Sequence, residues 1–197
     1  LKRSQVAKDF ITGSQDSVGI RVPSHPIALA LLTKFETLGG LGVAAPSANR
    51  FGQLSSTSAQ DVHVELGEYL SENDFILEGG KSEVGIESTI IDCRYAKPVI
   101  LRPGTITVAM INSVVKVESI NMEHPQFRVS GNLEKHYAPR AKVTLDQIPQ
   151  FGQGFIALAS FPTPHGVIRI ASPKDMVEFA QILYQSLRKA DLLELQE

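Results

Sequence analysis

The sequence predicts an α+β fold: a mixed, twisted sheet with helices set among its strands, then a linker and part of a small second α/β domain. Three observations carry that expectation. Short apolar runs with strand character recur from Ser17 to Leu101, several in succession, so the pattern is not the strict strand-helix alternation of a doubly wound fold. Residues 119–141 carry Asn, His, Pro, Ser and Gly with little periodicity, over a stretch longer than most connections inside a compact domain. Beyond them, Pro173 to Leu193 has apolar residues at helical spacing. The boundaries that follow are 1–117 for the main domain, 118–141 for a linker or lid, and 142–197 for part of the second domain.

Taken in order, Ser17 to Val22 reads as a strand stopped by Pro23. His25 to Leu38 places Ile27, Leu31, Phe35 and Leu38 at helical spacing, and Gly39-Gly40 ends that helix. Leu41 to Ala45 is short and apolar and predicts a buried strand. Pro46 to Ser56 is rich in Ser, Asn and Gly and predicts a loop. Thr57 with Gln60 three residues on is a capping-box pattern for a helix running to about Leu66. Phe75–Leu77, Gly85–Asp92 and Pro98–Leu101 predict three more strands, Arg102-Pro103-Gly104 a turn, and Thr107–Val115 a short helix. Phe155–Ser160 and Val167–Ile170 predict strands of the second domain. Its helix follows with Ser172 as N-cap, Pro173 at the first position, and Met176, Phe179, Ala180, Leu183 and Leu187 on one face.

The chain has 197 residues, enough for one cored domain or for one domain with part of a second. Apolar residues are 43% and charged residues 20% of it, and the formal charge of −2 excludes an overall basic field for nucleic acid. Cys93 is the single cysteine, which excludes a disulfide framework or a cysteine-based zinc site within this chain and fits a reducing compartment. No apolar run approaches the ~20 residues a bilayer-spanning helix needs. Leu1-Lys2-Arg3 is basic, but the polar, mixed stretch Ser4 to Ser17 has no apolar core of a signal peptide, and no initiator Met is present.

Several residue groups are candidates for chemistry. The loop from Pro46 to Ser56 carries Ser47, Asn49, Arg50, Ser55 and Ser56 directly after an apolar run; small hydroxyls and backbone N–H groups there suit phosphate oxygens, although composition alone favours a polar surface turn. Arg21 in an apolar stretch suits a carboxylate, held through two parallel hydrogen bonds, or is a solvated arginine. Thr89, beside Glu87 and Ser88, faces a ligand or is a β-branched strand residue. Arg102 suits phosphate or solvent. His136-Tyr137-Ala138-Pro139-Arg140 packs an imidazole, a phenol and a guanidinium into a short span, either to cover a nucleotide or to order the linker. No P-loop, dinucleotide fingerprint, catalytic triad or metal-ligand spacing is visible, and no catalytic side chain is assigned.

In order along the chain, Ser17-Val18-Gly19-Ile20-Arg21-Val22-Pro23 with His25-Pro26, Ala45-Pro46-Ser47-Ala48-Asn49-Arg50-Phe51-Gly52, Gly85-Ile86-Glu87-Ser88-Thr89-Ile90-Ile91-Asp92, Leu101-Arg102-Pro103-Gly104 and His136-Tyr137-Ala138-Pro139 resemble the threonylcarbamoyl-AMP synthases of the YrdC-like superfamily, in their long two-domain form. The resemblance is strong from Gly13 to Arg140; beyond it, the helix ending Leu183-Tyr184-Gln185-Ser186-Leu187-Arg188-Lys189-Ala190-Asp191 resembles part of the small C-terminal domain. It implies a cytoplasmic nucleotidyltransferase that joins ATP, L-threonine and bicarbonate into threonylcarbamoyl-AMP and pyrophosphate, for threonylcarbamoyladenosine modification of tRNA. It implies that Arg21 holds the threonine carboxylate, and that the Ala45 backbone and Thr89 complete the threonine pocket. Ser17, Ser47, Asn49, Ser55 and Arg102 then line the ATP side, with His136 and Tyr137 folding over the nucleotide, and Mg²⁺ shields the triphosphate. tRNA or proteins of a tRNA-modification complex are the implied further partners, and no membrane is.

Nothing from Leu1 to Ser14 matches the start of the family's core domain, which includes a Lys-x-Arg segment that contacts ATP and a threonine-binding stretch. The expectation is that the full-length protein is the enzyme and that this piece alone is inactive. Two other readings compete. One is a double-stranded RNA or tRNA-binding module without catalysis, whose mark is clustered Lys and Arg on one face; only Arg21, Arg50, Arg102 and Arg140 stand at motif positions. The other is a carbamoyltransferase domain of the hydrogenase-maturation type, disfavoured by the linker motif.

Overall fold

Helices and short two-stranded sheets interleave along the chain in the computed structural model, which describes residues 1–115 and 137–197. The architecture is α+β. The expected linker 118–141 and His136 lie largely or wholly outside the described residues. The chain divides into two compact units whose segments alternate along the sequence: Leu1–Pro46 with residues 88–115, and Ser47–Glu87 with residues 137–197.

In the first unit, α1 (Asp9–Thr12) is a single turn closed by Gly13 in the left-handed region. Pro26 opens α2 (Pro26–Thr37), where its fixed φ and missing N–H cost nothing. Gly39, at φ 85°, turns the chain out of that helix. β1 (Ile90–Asp92) and β2 (Val99–Arg102) pair antiparallel, Ile91 opposite Ile100 and Asp92 opposite Val99, with an irregularity between Ile90 and Ile91. Asp92 fixes the turn after β1, accepting from the Arg94 N–H at 3.0 Å and from its guanidinium at 2.8 and 2.6 Å. Those bonds hold the Asp92 carboxyl below the ordinary range against the opposing effect of burial. α4 (Val108–Val115) starts behind Thr107, whose hydroxyl accepts the Met110 N–H at 3.3 Å. Ile100 and Ile111 are among this unit's buried apolar side chains.

Three expected strands are absent here or in the second unit, and two are shorter, Phe155–Ser160 being reduced to Gly154–Ile156. Residues 17–22 form one isolated bridge, Ser17 to Lys2, and no ladder. Leu41 to Ala45 is not a buried strand: Leu41 is 89% exposed and Val43 52%. Phe75 to Leu77 is an exposed connection. Of Gly85–Asp92, only Ile90–Asp92 pairs. The physical reason is common to all. A strand exists through hydrogen bonds to a neighbour, and these segments have no ladder partner among the described residues.

The second unit holds α3 (Ala59–Leu66), continued by a 3-10 turn at Gly67–Tyr69, then β3 (Gly154–Ile156), β4 (Ile168–Ala171) and α5 (Met176–Leu192). The cap of α3 is one residue later than the sequence suggests. Ser58 accepts the Asp61 N–H at 3.2 Å, while Asp61 takes the Thr57 N–H and hydroxyl, both at 2.9 Å. Asp61, rather than Gln60, therefore closes the box, because a carboxylate accepts both donors that Thr57 offers. β3 and β4 run parallel, and α5 packs on β4. Arg169 on β4 staples the crossover between them, donating to the carbonyls of Ala157 (2.7 Å), Leu158 (2.8 Å) and Phe161 (3.1 Å). α5 begins at Met176 with Asp175 as N-cap, its carboxylate accepting the Glu178 N–H at 2.8 Å. Neither Ser172 nor Pro173 starts it, and Pro173 is instead fully buried ahead of the helix. Met176 is 67% exposed, so the inner face of α5 runs from Phe179 through Leu183 and Ser186 to Ala190. No helix among the described residues is long and apolar enough to cross a membrane.

Candidate functional site

Loop 47–56 is built by its own polar groups. The Asn49 side-chain amide donates to the carbonyls of Arg50 (2.9 Å) and Gln53 (3.0 Å), and the Ser56 hydroxyl donates to the Ala48 carbonyl at 2.7 Å. Gly52 sits at φ 79°, a region open to glycine at no steric cost. With its two amide protons spent, Asn49 leaves its Oδ1 buried and without a hydrogen-bond partner among the described residues. A buried acceptor in that state costs free energy unless a donor arrives. The Ser55 hydroxyl donates to Glu87 at 2.6 Å, which pins the far end of the loop. Ser47 is exposed.

Charge holds the loop against α3. Arg50 Nε donates to Glu65 at 3.2 Å, and Glu65 is 7% exposed. Burial opposes the ionised form of Glu65, but its bonds to Arg188 and Arg50 outweigh that and hold its carboxyl below the ordinary range. Asp61 is lowered in the same way: burial opposes, while Thr57, Arg188 and Ser58 prevail.

The segment after the expected linker meets this loop. The Ala138 N–H donates to the Gly52 carbonyl at 3.3 Å. Tyr137 takes φ 56°, strained for a bulky residue. Its ring lies 6.2 Å from that of Tyr184 on α5, tilted by 31°. Arg140 then anchors to the end of α5, its N–H on the Asp191 carboxylate at 2.8 Å and its guanidinium on the Asp191 carbonyl at 3.1 Å. Ser47, Asn49, Ser55 and Tyr137 thus share one unit.

The other expected site residues fall in the first unit. The β1–β2 pair brings Thr89 and Arg102 together. Arg102, 8% exposed, donates to the Ser88 carbonyl (3.0 Å) and hydroxyl (3.1 Å), and the Thr89 hydroxyl donates to the Ile106 carbonyl at 2.8 Å. Ser17 is half-buried at its bridge to Lys2. Arg21 and Ala45 are exposed, and Arg21 has no ion pair among the described residues. Ser88 and Arg188 carry no role in a sequence reading. For Ser88 the available signal is its place beside Thr89; Arg188 has none beyond a pair of acids, Asp61 and Glu65, one helical turn apart. Among the described residues, no group of three or more His, Cys, Asp or Glu side chains could hold a metal ion.

Comparison with known proteins gives consistent matches. Residues 1–104 match the Sua5/YciO/YrdC family model, described as telomere recombination, and residues 106–196 match the model for the threonylcarbamoyl-AMP synthase C-terminal domain. A threonylcarbamoyl-AMP synthase of Pyrococcus abyssi is 35% identical over 158 residues, covering 76% of this chain and 44% of that protein. One of Bacillus subtilis is 36% identical over 139 residues, covering 68% of this chain and 38% of that protein. Among solved structures, P. abyssi Sua5 complexed with L-threonine superposes with a TM-score of 0.77 at 30% identity, covering all of this chain and 62% of that one. A doubly substituted variant of the same protein gives a TM-score of 0.74 at 28% identity. This chain therefore spans less than half the length of these two curated relatives.

Proposed function

The chain belongs to the Sua5/YciO/YrdC family, and from that premise we propose that the full-length protein is an L-threonylcarbamoyladenylate synthase serving threonylcarbamoyladenosine modification of tRNA. The threonine amine adds to bicarbonate, giving a carbamate with loss of water. A carbamate oxygen then attacks the α-phosphorus of ATP, and the α–β bridging bond breaks to release pyrophosphate. The substrate supplies the nucleophile, so positioning and charge neutralisation suffice, and no reactive serine or cysteine is required.

In this reading Arg21 holds the threonine carboxylate through its fork of donors, and Ala45 and Thr89 bound the threonine side. Ser17, Ser47, Asn49, Ser55 and Arg102 serve ATP. The buried Asn49 Oδ1 suits a hydroxyl or amine donor of the nucleoside. Tyr137, with His136, covers the nucleotide. Observation favours this reading most at the Ala138 N–H on the Gly52 carbonyl, which joins the two most specific motifs of the chain within one unit. In this reading the family's domains are 1–117, 118–141 and 142–197 along the sequence, although the compact units alternate within the first of these, and the protein works in the cytoplasm. Because the chain spans 44% of its P. abyssi relative, the 197 residues alone are taken to be inactive. A tRNA-binding module without catalysis is not favoured: of its candidate arginines, Arg50 is committed to Glu65 and Arg140 to Asp191.

Calorimetry tests the assignment. The full-length protein should bind L-threonine and ATP, and Arg21→Ala should lose threonine while keeping ATP. Retained threonine binding in Arg21→Ala would remove the assignment.

A further inference from the structure

Arg188 stands on α5, a helix the reaction as read above does not use, yet its guanidinium reaches loop 47–56. Its side chain is 14% exposed. Nε lies 3.6 Å from Asp61 Oδ1, Nη1 donates to Glu65 Oε1 at 2.5 Å, and Nη2 donates to the Leu54 carbonyl at 3.1 Å. The second Glu65 oxygen takes Arg50 Nε at 3.2 Å. Two cations thus meet two anions, and the network closes on both sides of the loop's turn, at Arg50 and at Leu54. Leu54, 3% exposed, is the residue before Ser55, whose hydroxyl is bonded to Glu87.

All three guanidinium nitrogens point in different directions at different partners, a task for a planar fork that a single ammonium cannot repeat. An apolar residue would serve packing as well or better. The geometry therefore calls for a reason to keep the charge, and the backbone carbonyl of Leu54 supplies one.

We infer that Arg188 is a positioning residue for the nucleotide loop: through Leu54, Glu65 and Asp61 it sets the placement of Ser47, Asn49 and Ser55 from the second half of the chain. The inference rests on the proposed synthase reading for its consequence in catalysis, but its effect on the loop is independent of it.

The test uses the full-length protein with Arg188→Gln and Arg188→Lys, and with Arg169→Gln as a control that loosens the same unit away from the loop. Arg188→Gln should raise the KM for ATP about tenfold or more while the Kd for L-threonine stays within about twofold. Arg188→Lys, able to keep one of the three contacts, should fall between. Amide exchange at residues 50–56 should rise about tenfold in Arg188→Gln and not in Arg169→Gln. Faster loop exchange in a protein that makes no threonylcarbamoyl-AMP would uphold the inference and sink the synthase reading. Unchanged loop exchange and unchanged KM for ATP in Arg188→Gln would overturn the inference and leave the reading standing.

Discussion

The backbone N–H of Ala138 donates to the carbonyl of Gly52 at 3.3 Å, so two segments separated by more than eighty positions in sequence share a hydrogen bond at the turn of loop 47–56. Both sides of that bond hold backbone outside the common regions, Gly52 at φ 79° and Tyr137 at φ 56°. Gly52→Ala is therefore expected to destabilise the protein by about 1 kcal/mol and, by displacing the carbonyl, to weaken ATP binding. Thermal melting and calorimetry check both. Unchanged ATP affinity in a folded Gly52→Ala protein would show that the turn geometry does not matter to the nucleotide.

Tyr137 is expected to act through its ring, which already lies against Tyr184. Tyr137→Phe should keep most of the activity, and Tyr137→Ala should lose about fivefold in kcat/KM for ATP, in line with an aromatic contact worth about 1 kcal/mol. Equal losses in the two variants would point to the hydroxyl instead.

Gly85 packs against backbone. A Cβ built there would meet the Gln181 carbonyl oxygen at 2.0 Å, far inside contact distance and against an atom of α5 that has no rotamer to escape into. Gly85→Ala should cost about 1–3 kcal/mol, read as a lower urea midpoint with an unchanged slope. A neutral result would mean that the two segments of this unit separate without cost.

Acid should weaken the same region. Asp61 and Glu65 are both held below their ordinary range in the folded chain, so folding favours the ionised form. Their contribution is complete above the unfolded carboxylate range of about 4 and is lost as pH falls through their lower folded values. Urea unfolding followed from pH 7 downward should show stability falling below pH ~4, and Glu65→Gln should flatten that fall at the expense of stability at neutral pH. An identical acid profile in Glu65→Gln would contradict the role of the Arg188 and Arg50 bonds.

Helices were the most legible elements in the sequence, because each carries its own signal. Pro26 and Gly39 bound α2, apolar spacing marks α5, and Thr107 precedes α4. Caps are legible to within a few residues: Ser58 and Asp175 hold the N-cap positions where the sequence suggests Thr57 and Ser172, since the choice turns on which side-chain oxygen reaches which N–H. Strands were the weak point. Apolar runs such as Leu41–Ala45 state a preference for burial but cannot state a partner, and Leu41 is 89% exposed in the described structure. The site was legible where motifs are contiguous, as at Ser47, Asn49 and Ser55. Arg188 was not, because its meaning lies in Leu54, Asp61 and Glu65, all more than a hundred residues away in the chain.

Pyrophosphate release from ATP by the full-length protein, measured with and without L-threonine and bicarbonate, is the decisive measurement for the synthase reaction. Release should require both, with one threonylcarbamoyl-AMP formed per pyrophosphate. Release that proceeds without threonine or bicarbonate, or a folded protein that binds ATP yet forms no product with both present, would contradict the synthase reading.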